Sequence, residues 1–280
     1  MRRGGGIPAV AARAGNHGLN DAPSSALLAT TTTRQTRNQQ SLTRVLSFSV
    51  SGRQKGAASS SAITMPVVLY NLVGSPPCGF IRCLAKHIGV ELNLNNLDFT
   101  KGEHRTEQFL KVNPFHKVPA IDDDGFIVYE SNAIAYYLLR KYSPESELYP
   151  ACIETRTRID QVLAAASSNI HPQLGAFFRP RYFQSTKPSA EEVKAFEENV
   201  VKNLENLIGD SKFAVGDKLT AADLCLIGHV TVCLEFPCVD KAKYPKLTAY
   251  YELVKNTLPY YQEIFGPFTV QAKQLWDRLK

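Results

Sequence analysis

The chain has 280 residues, 44% of them hydrophobic, enough apolar material for one large core or two modest ones. Its formal net charge of +6 is unevenly spread: residues 1 to 65 hold eight Lys/Arg and one acid, Asp21, so they carry +7 and leave −1 for the remainder. A near-neutral body argues against nucleic acid as the partner, and no apolar run reaches the roughly 18 residues of a membrane-spanning helix.

Residues 1 to 64 are rich in Ser, Thr, Ala, Gly and Arg and show no lasting periodicity, so they are expected to be a disordered basic extension. Two readings of them stay open. One is a tail, or an upstream extension of the coding frame, on a cytoplasmic protein whose body starts at Met65. The other is a mitochondrial transit peptide, which such an Arg- and Ser-rich, acid-poor segment suits.

From Met65 the pattern sharpens. Val67 to Leu72 is a short apolar run of strand type, and Phe80, Ile81, Leu84 and Ile88 then recur at helical spacing up to a stop at Gly89. Leu92 and Leu94 alternate with polar residues across Glu91 to Leu97, as in a half-buried strand. Glu107 to Val112 reads as a short helix. Val118 to Ile121 and Phe126 to Tyr129 read as strands joined through the turn Asp123-Asp124-Gly125. Ser131 opens a helix that turns Ile134, Tyr137 and Leu138 inward. Two strands joined by a helix should be parallel, and the hairpin adds antiparallel partners. This order predicts a thioredoxin-like domain over residues 65–145.

After a Pro-containing linker (Ser143 to Pro150) no convincing strand remains, and residues 152–280 are expected to form an all-helical domain. Arg156 to Phe178, Ala190 to Ile208, Ala221 to Leu234 and Tyr244 to Thr257 read as helices. Within GDKLT, Thr220 and Asp223 have capping-box spacing, and Leu219 and Leu224 can staple the helix start; both features read as structural. The six cysteines, at 78, 83, 152, 225, 233 and 238, follow no zinc spacing, and no metal is expected. They suit a reduced protein better than a disulfide scaffold.

The stretch LVGSPPCGFIRC, residues 72 to 83, stands where the first strand gives way to the first helix. Pro76 and Pro77 suit a first helical turn, where a missing N–H costs nothing. Ser75 just before them is either an N-cap or a hydroxyl donor to an anion at the helix terminus. SPPC is also a thioredoxin-type CxxC whose leading cysteine has become serine, which leaves Cys78 without the attacking partner of disulfide exchange.

LVGSPPC, KGEH (101–104), NPFHKVP (113–119), ESNAIAYYL (130–138) and GDKLTAAD (216–223), in this order and spacing, resemble soluble glutathione transferases, most closely the arthropod delta and epsilon classes. The resemblance covers roughly residues 66 to 265. It implies an enzyme whose co-substrate is glutathione, which attacks apolar electrophiles as a thiolate, in detoxification, and which works as a homodimer. It places the catalytic hydroxyl on Ser75. Glutathione contacts fall on Pro77, His104, His116, Lys117, Val118, Pro119 (expected cis), Glu130, Ser131 and Asn132, the last standing where many delta members have arginine. Phe177, Phe178 and Tyr182 are candidates for the electrophile pocket or for ordinary helix packing. Two other functions stay open: a non-catalytic carrier or assembly module on the same fold, since ESNAIAYY also resembles the transferase-like domain of elongation factor 1 gamma, and a thiol-disulfide oxidoreductase.

Overall fold

The computed structural model describes residues 66–280, and the expectation for residues 1 to 64 lies outside them. Strand β1 (Val67–Asn71) runs parallel to β2 (Leu92–Asn96), with Val67 opposite Leu92. Strand β3 (Ala120–Asp123) lies antiparallel to β1, and β4 (Phe126–Tyr129) antiparallel to β3. The sheet order is β2-β1-β3-β4, with parallel and antiparallel pairs as expected. The hairpin turn takes positive φ at both Asp124 (55°) and Gly125 (86°), the backbone twist that matches the flanking strands. Strand β3 begins two residues later than the apolar pattern suggests, because Pro119 lacks the N–H that a central ladder needs.

Strand β2 departs from the reading of a half-buried strand. It lies at the sheet edge, where Leu92 packs against the core while Leu94 stays 37% exposed. Across the sheet, successive side chains face opposite sides. Leu69 and Ile121 join Phe80, Ile81 and Leu84 of helix α1 (Pro76–Ile88) and Ile134 and Leu138 of helix α3 (Ser131–Tyr142) in the main core. Tyr70 instead packs against Phe109 of the short helix α2 (Glu107–Leu110).

The helical part begins with α4 (Ile153–Ala165), which passes through a π-turn (Ala166–Ile170) into α5 (His171–Gln184). The single helix expected here is thus continuous but bulged at its centre. The second expected helix behaves alike, as α6 (Ala190–Phe196), a π-turn (Glu197–Val201) and α7 (Lys202–Leu207). Helices α8 (Ala221–Leu234) and α9 (Pro245–Thr257) follow. Helix α10 (Tyr261–Arg278) escapes the sequence pattern because Gly266 and Pro267 interrupt its interior; its buried Ile264, Phe265, Phe268, Ala272 and Leu275 hold it in place. Packing here overrides the cost of an internal proline.

Every one of the 14 residues of α8 is buried, as expected of a central helix apolar on all sides. The Asp223 carboxylate anchors its start. It accepts from the Thr220 N–H (2.8 Å), the Thr220 hydroxyl (3.1 Å), the Ala214 N–H (2.8 Å) and the Tyr250 hydroxyl (2.9 Å). The Thr220–Asp223 cap read from the sequence is therefore structural. Burial nevertheless raises the Asp223 pKa against the pull of these donors.

Helix α8 packs along α1 and joins the helical part to the sheet. The closest approach is at Gly228, where a Cβ would stand 3.0 Å from both Cα and O of Pro76. Gly74 turns the chain out of β1 with φ +81°, and a Cβ there would meet the Phe268 ring at 2.7 Å. The first turn of α1 is thereby fixed between α8 and α10.

Candidate functional site: the cavity between the sheet and the helices

Ser75 caps α1 from an extended backbone conformation (φ −76°, ψ 116°), and its carbonyl receives the Gly79 N–H at 2.9 Å. Its hydroxyl oxygen accepts a long bond, 3.5 Å, from the Cys78 N–H. Accepting leaves the hydroxyl proton free to donate elsewhere. Cys78 faces inward, 1% exposed, and burial pushes its thiol up to about 11, outweighing the Ser75 hydroxyl, the Leu72 backbone and the Arg82 charge. Such a thiol is not a thiolate at neutral pH.

The NPFHKVP string folds into a loop organised by the buried Asn113. Its side chain accepts from the Phe115 N–H (3.0 Å) and donates to the Lys117 carbonyl (2.8 Å). His116 takes a positive φ of 56°, and the Val118–Pro119 peptide is cis, as the resemblance implied. Glu130 then enters α3 with φ 69° and ψ 115°, and no side chain of the described residues caps this helix. A non-glycine residue held at such angles costs free energy and persists only where its surroundings demand it. The uncapped terminus leaves the first N–H groups of α3 available to an acceptor.

These elements meet at a cavity of about 100 Å³. Pro77, Asn113, Lys117, Val118, Pro119, Glu130, Ser131 and Asn132 line it from the sheet side, and Ser167, His171, Cys225 and His229 from the helical side. Seven of the residues named from the sequence are thus gathered in one place: Pro77, Lys117, Val118, Pro119, Glu130, Ser131 and Asn132. Ser75 stands two residues before Pro77, outside the lining. His104 and His116 are also outside it. His104 stacks on Phe99 (4.0 Å, 18°), its Nδ1 is buried without a partner, and burial, then Arg105 and His116, lower its pKa.

Phe177, Phe178 and Tyr182 are not brought to this cavity. Phe177 and Phe178 are 7% and 5% exposed and form an aromatic cluster with Phe196 and Phe236, onto which Trp276 packs edge-on at 5.4 Å. Phe177 lines a separate groove of about 200 Å³ between α5 and α6, with Gln173, Phe196 and Val200, and Tyr182 points outward at 48% exposure. For the two phenylalanines, ordinary helix packing accounts for their position.

The helical wall is what sequence reasoning missed. Asn132 Nδ2 approaches Ser167 Oγ at 3.5 Å across the junction, while its Oδ1 is buried without a partner. Ser167 lies within the π-turn and His171 directly after it, so the bulge that interrupts the long helix brings both to the cavity. The signal for His229 was present: it is a lone histidine inside the apolar run Leu224 to Leu234, with Cys225 one turn earlier on the same face. Nothing marked His171. Burial lowers the His171 pKa, aided by Lys117 and Arg179, and brings His229 down to about 3, aided by His171 and opposed by the Cys225 carbonyl. Burial likewise raises the Cys225 thiol to about 12. Among the described residues no cluster of three or more His, Cys, Asp or Glu could hold a metal.

A four-stranded thioredoxin-like sheet, with a cis-proline loop and an open helix terminus, faces a helical half across the cavity. Residues 65–140 match the family model "Glutathione S-transferase, N-terminal domain", and residues 158–256 match "Glutathione S-transferase, C-terminal domain". The chain belongs to this family and is a glutathione transferase. Among solved structures it is similar to a delta-class glutathione transferase of Nilaparvata lugens, with 30% identity, 77% of this chain and 100% of that one covered, and a TM-score of 0.69. It is also similar to an epsilon-class enzyme of the housefly Musca domestica (28% identity, 76% and 98% covered, TM-score 0.69). A third neighbour is a diazinon-metabolizing glutathione S-transferase of the silkworm Bombyx mori (27% identity, 76% and 100% covered, TM-score 0.65). The expected fold, family and transferase activity are all borne out by these matches.

Proposed function

We propose that residues 65–145 hold glutathione, that Ser75 stabilises its thiolate, and that the thiolate attacks apolar electrophiles presented against residues 152–280. The observation that carries this is the Ser75 hydroxyl, at the N-terminus of α1, whose acceptor side faces the Cys78 N–H and whose proton is free. A thiol of reference pKa about 8.5 is only about 3% ionised at pH 7. Lowering that pKa by about 2 units, roughly 2.7 kcal/mol of differential stabilisation, leaves more than half of it as thiolate. The hydroxyl and the partial positive charge of the helix terminus both act in this direction. The sulfur then forms a bond to the electrophilic carbon, which either expels its leaving group with the bonding electron pair or passes that pair to a conjugated acceptor that picks up a proton.

The grip follows from the cavity lining. Val118 supplies backbone pairing for the cysteinyl unit beside Pro119, and Pro77 borders the same space. Glu130 takes the γ-glutamyl amine, while Ser131 and the free N–H groups of α3 take its carboxylate. Asn132 brings no cation to that carboxylate, so Ser131 and the helix terminus carry the anion without it. Lys117 and, from outside the lining, His104 and His116 serve the glycyl end.

Disulfide exchange is not favoured, since Ser75 occupies the attacking position and the Cys78 thiol is buried and protonated. A role in xenobiotic metabolism is supported by the likeness to the diazinon-metabolizing silkworm enzyme. No described helix is long and apolar enough to cross a membrane. A homodimer is supported by the large apolar side chains left exposed at Phe115, Phe126 and Ile127, since two-fold pairing is the commonest way to cover such a surface. Retention on immobilised glutathione together with a thioether-forming assay on an apolar aryl halide tests the reading. Retention and turnover are expected. Retention without turnover identifies a carrier instead, and faster exchange with glutathione disulfide than conjugation identifies an oxidoreductase.

A further inference from the structure

Helix α10 packs along the first turns of α1 and touches that helix on both sides of Ser75. The Phe268 ring lies on Gly74, directly before the serine, where a Cβ would meet it at 2.7 Å. The Phe265 ring lies on Gly79, where a Cβ would meet it at 2.6 Å, and the Gly79 N–H is the donor to the Ser75 carbonyl. Phe265 and Phe268, three residues apart, share one face of α10. The register of this helix against α1 therefore sets where the Ser75 backbone sits.

That register is held at a weak point. Pro267 stands in the interior of α10, and a proline there offers no N–H to the carbonyl four residues earlier. The carbonyl that loses its helical donor is that of Glu263. Arg82 of α1 supplies a replacement: its Nη2 donates to the Glu263 carbonyl at 3.5 Å and its Nη1 to the Ile264 carbonyl at 3.3 Å. A guanidinium fork suits two neighbouring acceptors in a way that a single ammonium does not. Arg82 follows Gly79 by three residues and so shares its face of α1. The nearby Lys86–Glu263 ion pair, 3.0 Å long, joins two half-exposed side chains and contributes little. The far end of α10 is fastened separately, by the Lys280 N–H to the Ser185 carbonyl (2.9 Å) and the Lys187 N–H to the Lys280 carbonyl (2.8 Å).

We infer that Arg82 is a positioning residue for the conjugation reaction: by standing in for the donor that Pro267 lacks, it locks α10 against α1 and holds the Ser75 hydroxyl where the thiolate forms. The inference rests on the proposed role of Ser75. Arg82 touches neither glutathione nor the electrophile in this scheme; it acts through Phe265, Phe268 and the turn they enclose. Without it the opened carbonyls turn to water and α10 is free to bend about Pro267.

A double-substitution cycle in the full-length protein tests this. Arg82→Met removes the donors and keeps the length of the side chain. Turnover should fall about 3- to 30-fold, the scale of a sub-ångström displacement of a catalytic group, with KM for glutathione held within about 2-fold. The thiol of bound glutathione should titrate about half a unit to one unit higher. Pro267→Ala returns an N–H to α10 and by itself should leave turnover within about 2-fold. In that background Arg82→Met should cost less than about 2-fold. Arg82→Lys keeps the charge but not the fork; its loss should be intermediate, and it carries the same comparison if Arg82→Met does not fold. Thermal midpoints check folding of each variant. Amide exchange at Gly79 reads the Ser75 turn itself, whatever the hydroxyl does; it should quicken in Arg82→Met and return toward wild type once Pro267→Ala is added. An unchanged Gly79 amide, or a turnover loss that persists beside Pro267→Ala, overturns the positioning role and leaves the Ser75 assignment in place. A quicker amide with an unchanged thiol titration overturns it from the other side, by removing Ser75 from thiolate stabilisation.

Discussion

The two walls of the cavity are built by different means. The sheet side works largely through backbone: a helix start at Ser75-Pro76-Pro77, a cis-proline loop, and the uncapped terminus of α3 behind the strained Glu130. The helical side works through side chains, Ser167, His171, Cys225 and His229, carried on helices whose own register is set by packing. Backbone sites tolerate drift in the surrounding sequence as long as the turn residues survive. Side-chain sites change with every substitution at a few helix positions. One wall is thus suited to an invariant ligand such as glutathione, and the other to varied second substrates.

The largest effect expected from breaking this contrast falls on the sheet wall. Ser75→Ala removes the free hydroxyl proton and leaves the helix terminus, the Val118 loop and the α3 terminus in place. Turnover should fall about 10- to 1,000-fold, the scale of losing one strong anion-stabilising hydrogen bond, and the pKa of bound glutathione should rise. Affinity for glutathione should change far less. Thiolate absorbance followed against pH, with and without the substitution, checks it; a wild-type titration curve in the variant would move the thiolate-stabilising role away from Ser75.

The next effect sharpens the claim that the helical wall stands on packing. Asp223 is not among the cavity-lining residues, yet four donors converge on its buried carboxylate and it fixes the start of α8. Asp223→Ala should cost about 3 kcal/mol of stability by orphaning those donors. Denaturant unfolding measures it. Asp223→Asn, which keeps the shape, should cost less. A loss below 1 kcal/mol in the alanine variant would mean that water replaces the carboxylate freely.

The same contrast explains what the sequence disclosed. Pro-Pro after a strand, Val-Pro in a loop, Glu-Ser before a helix and Asp-Asp-Gly in a hairpin are local signatures, because backbone geometry restricts which residues fit. The parallel and antiparallel pairs could therefore be read in advance, and the seven lining residues through the family resemblance that these strings carry. His171 could not. It reaches the cavity only because a π-turn shifts the helix that precedes it, and the meeting of α5 with α8 across 58 positions, from His171 to His229, is a tertiary event. Phe177 and Phe178 were plausible pocket residues on spacing alone, and the neighbours that absorbed them, Phe196 and Phe236, lie on other helices. Helix α10 was hidden by Gly266 and Pro267, which only the surrounding core compensates.

A subtler difference between the walls is their response to acid. His229 takes a proton near pH 6.5 in the unfolded chain, whereas the folded protein withholds protonation until about pH 3. Between these values the unfolded state binds more protons, so stability is full above pH 6.5 and declines as pH falls through the window. The contribution lost at pH 5 is about 2 kcal/mol, and the lowered pKa of His171 acts in the same direction. Chemical unfolding at pH 7 and pH 5 should show this loss in the wild type, with most of it gone in His229→Leu. An unchanged slope in the variant would show that the imidazole is not desolvated.

The smallest effect belongs to the residue that looks most chemical. Cys78 stands in a CxxC frame at a helix start, the arrangement in which a thiol is normally activated. Its side chain is buried, 1% exposed and outside the cavity lining, and burial raises its pKa to about 11. The helix terminus that would lower it serves Ser75 instead, through the Cys78 N–H. Cys78→Ser should therefore keep kcat/KM within about 3-fold and cost about 1 kcal/mol, as a hydroxyl replaces a thiol in an apolar site. Specific activity and thermal midpoint of the variant decide the matter together. A folded but inactive Cys78→Ser enzyme would transfer the chemistry from the hydroxyl at the cap to the thiol beneath it, and would erase the proposed division between a cap that stabilises the thiolate and a core that only supports it.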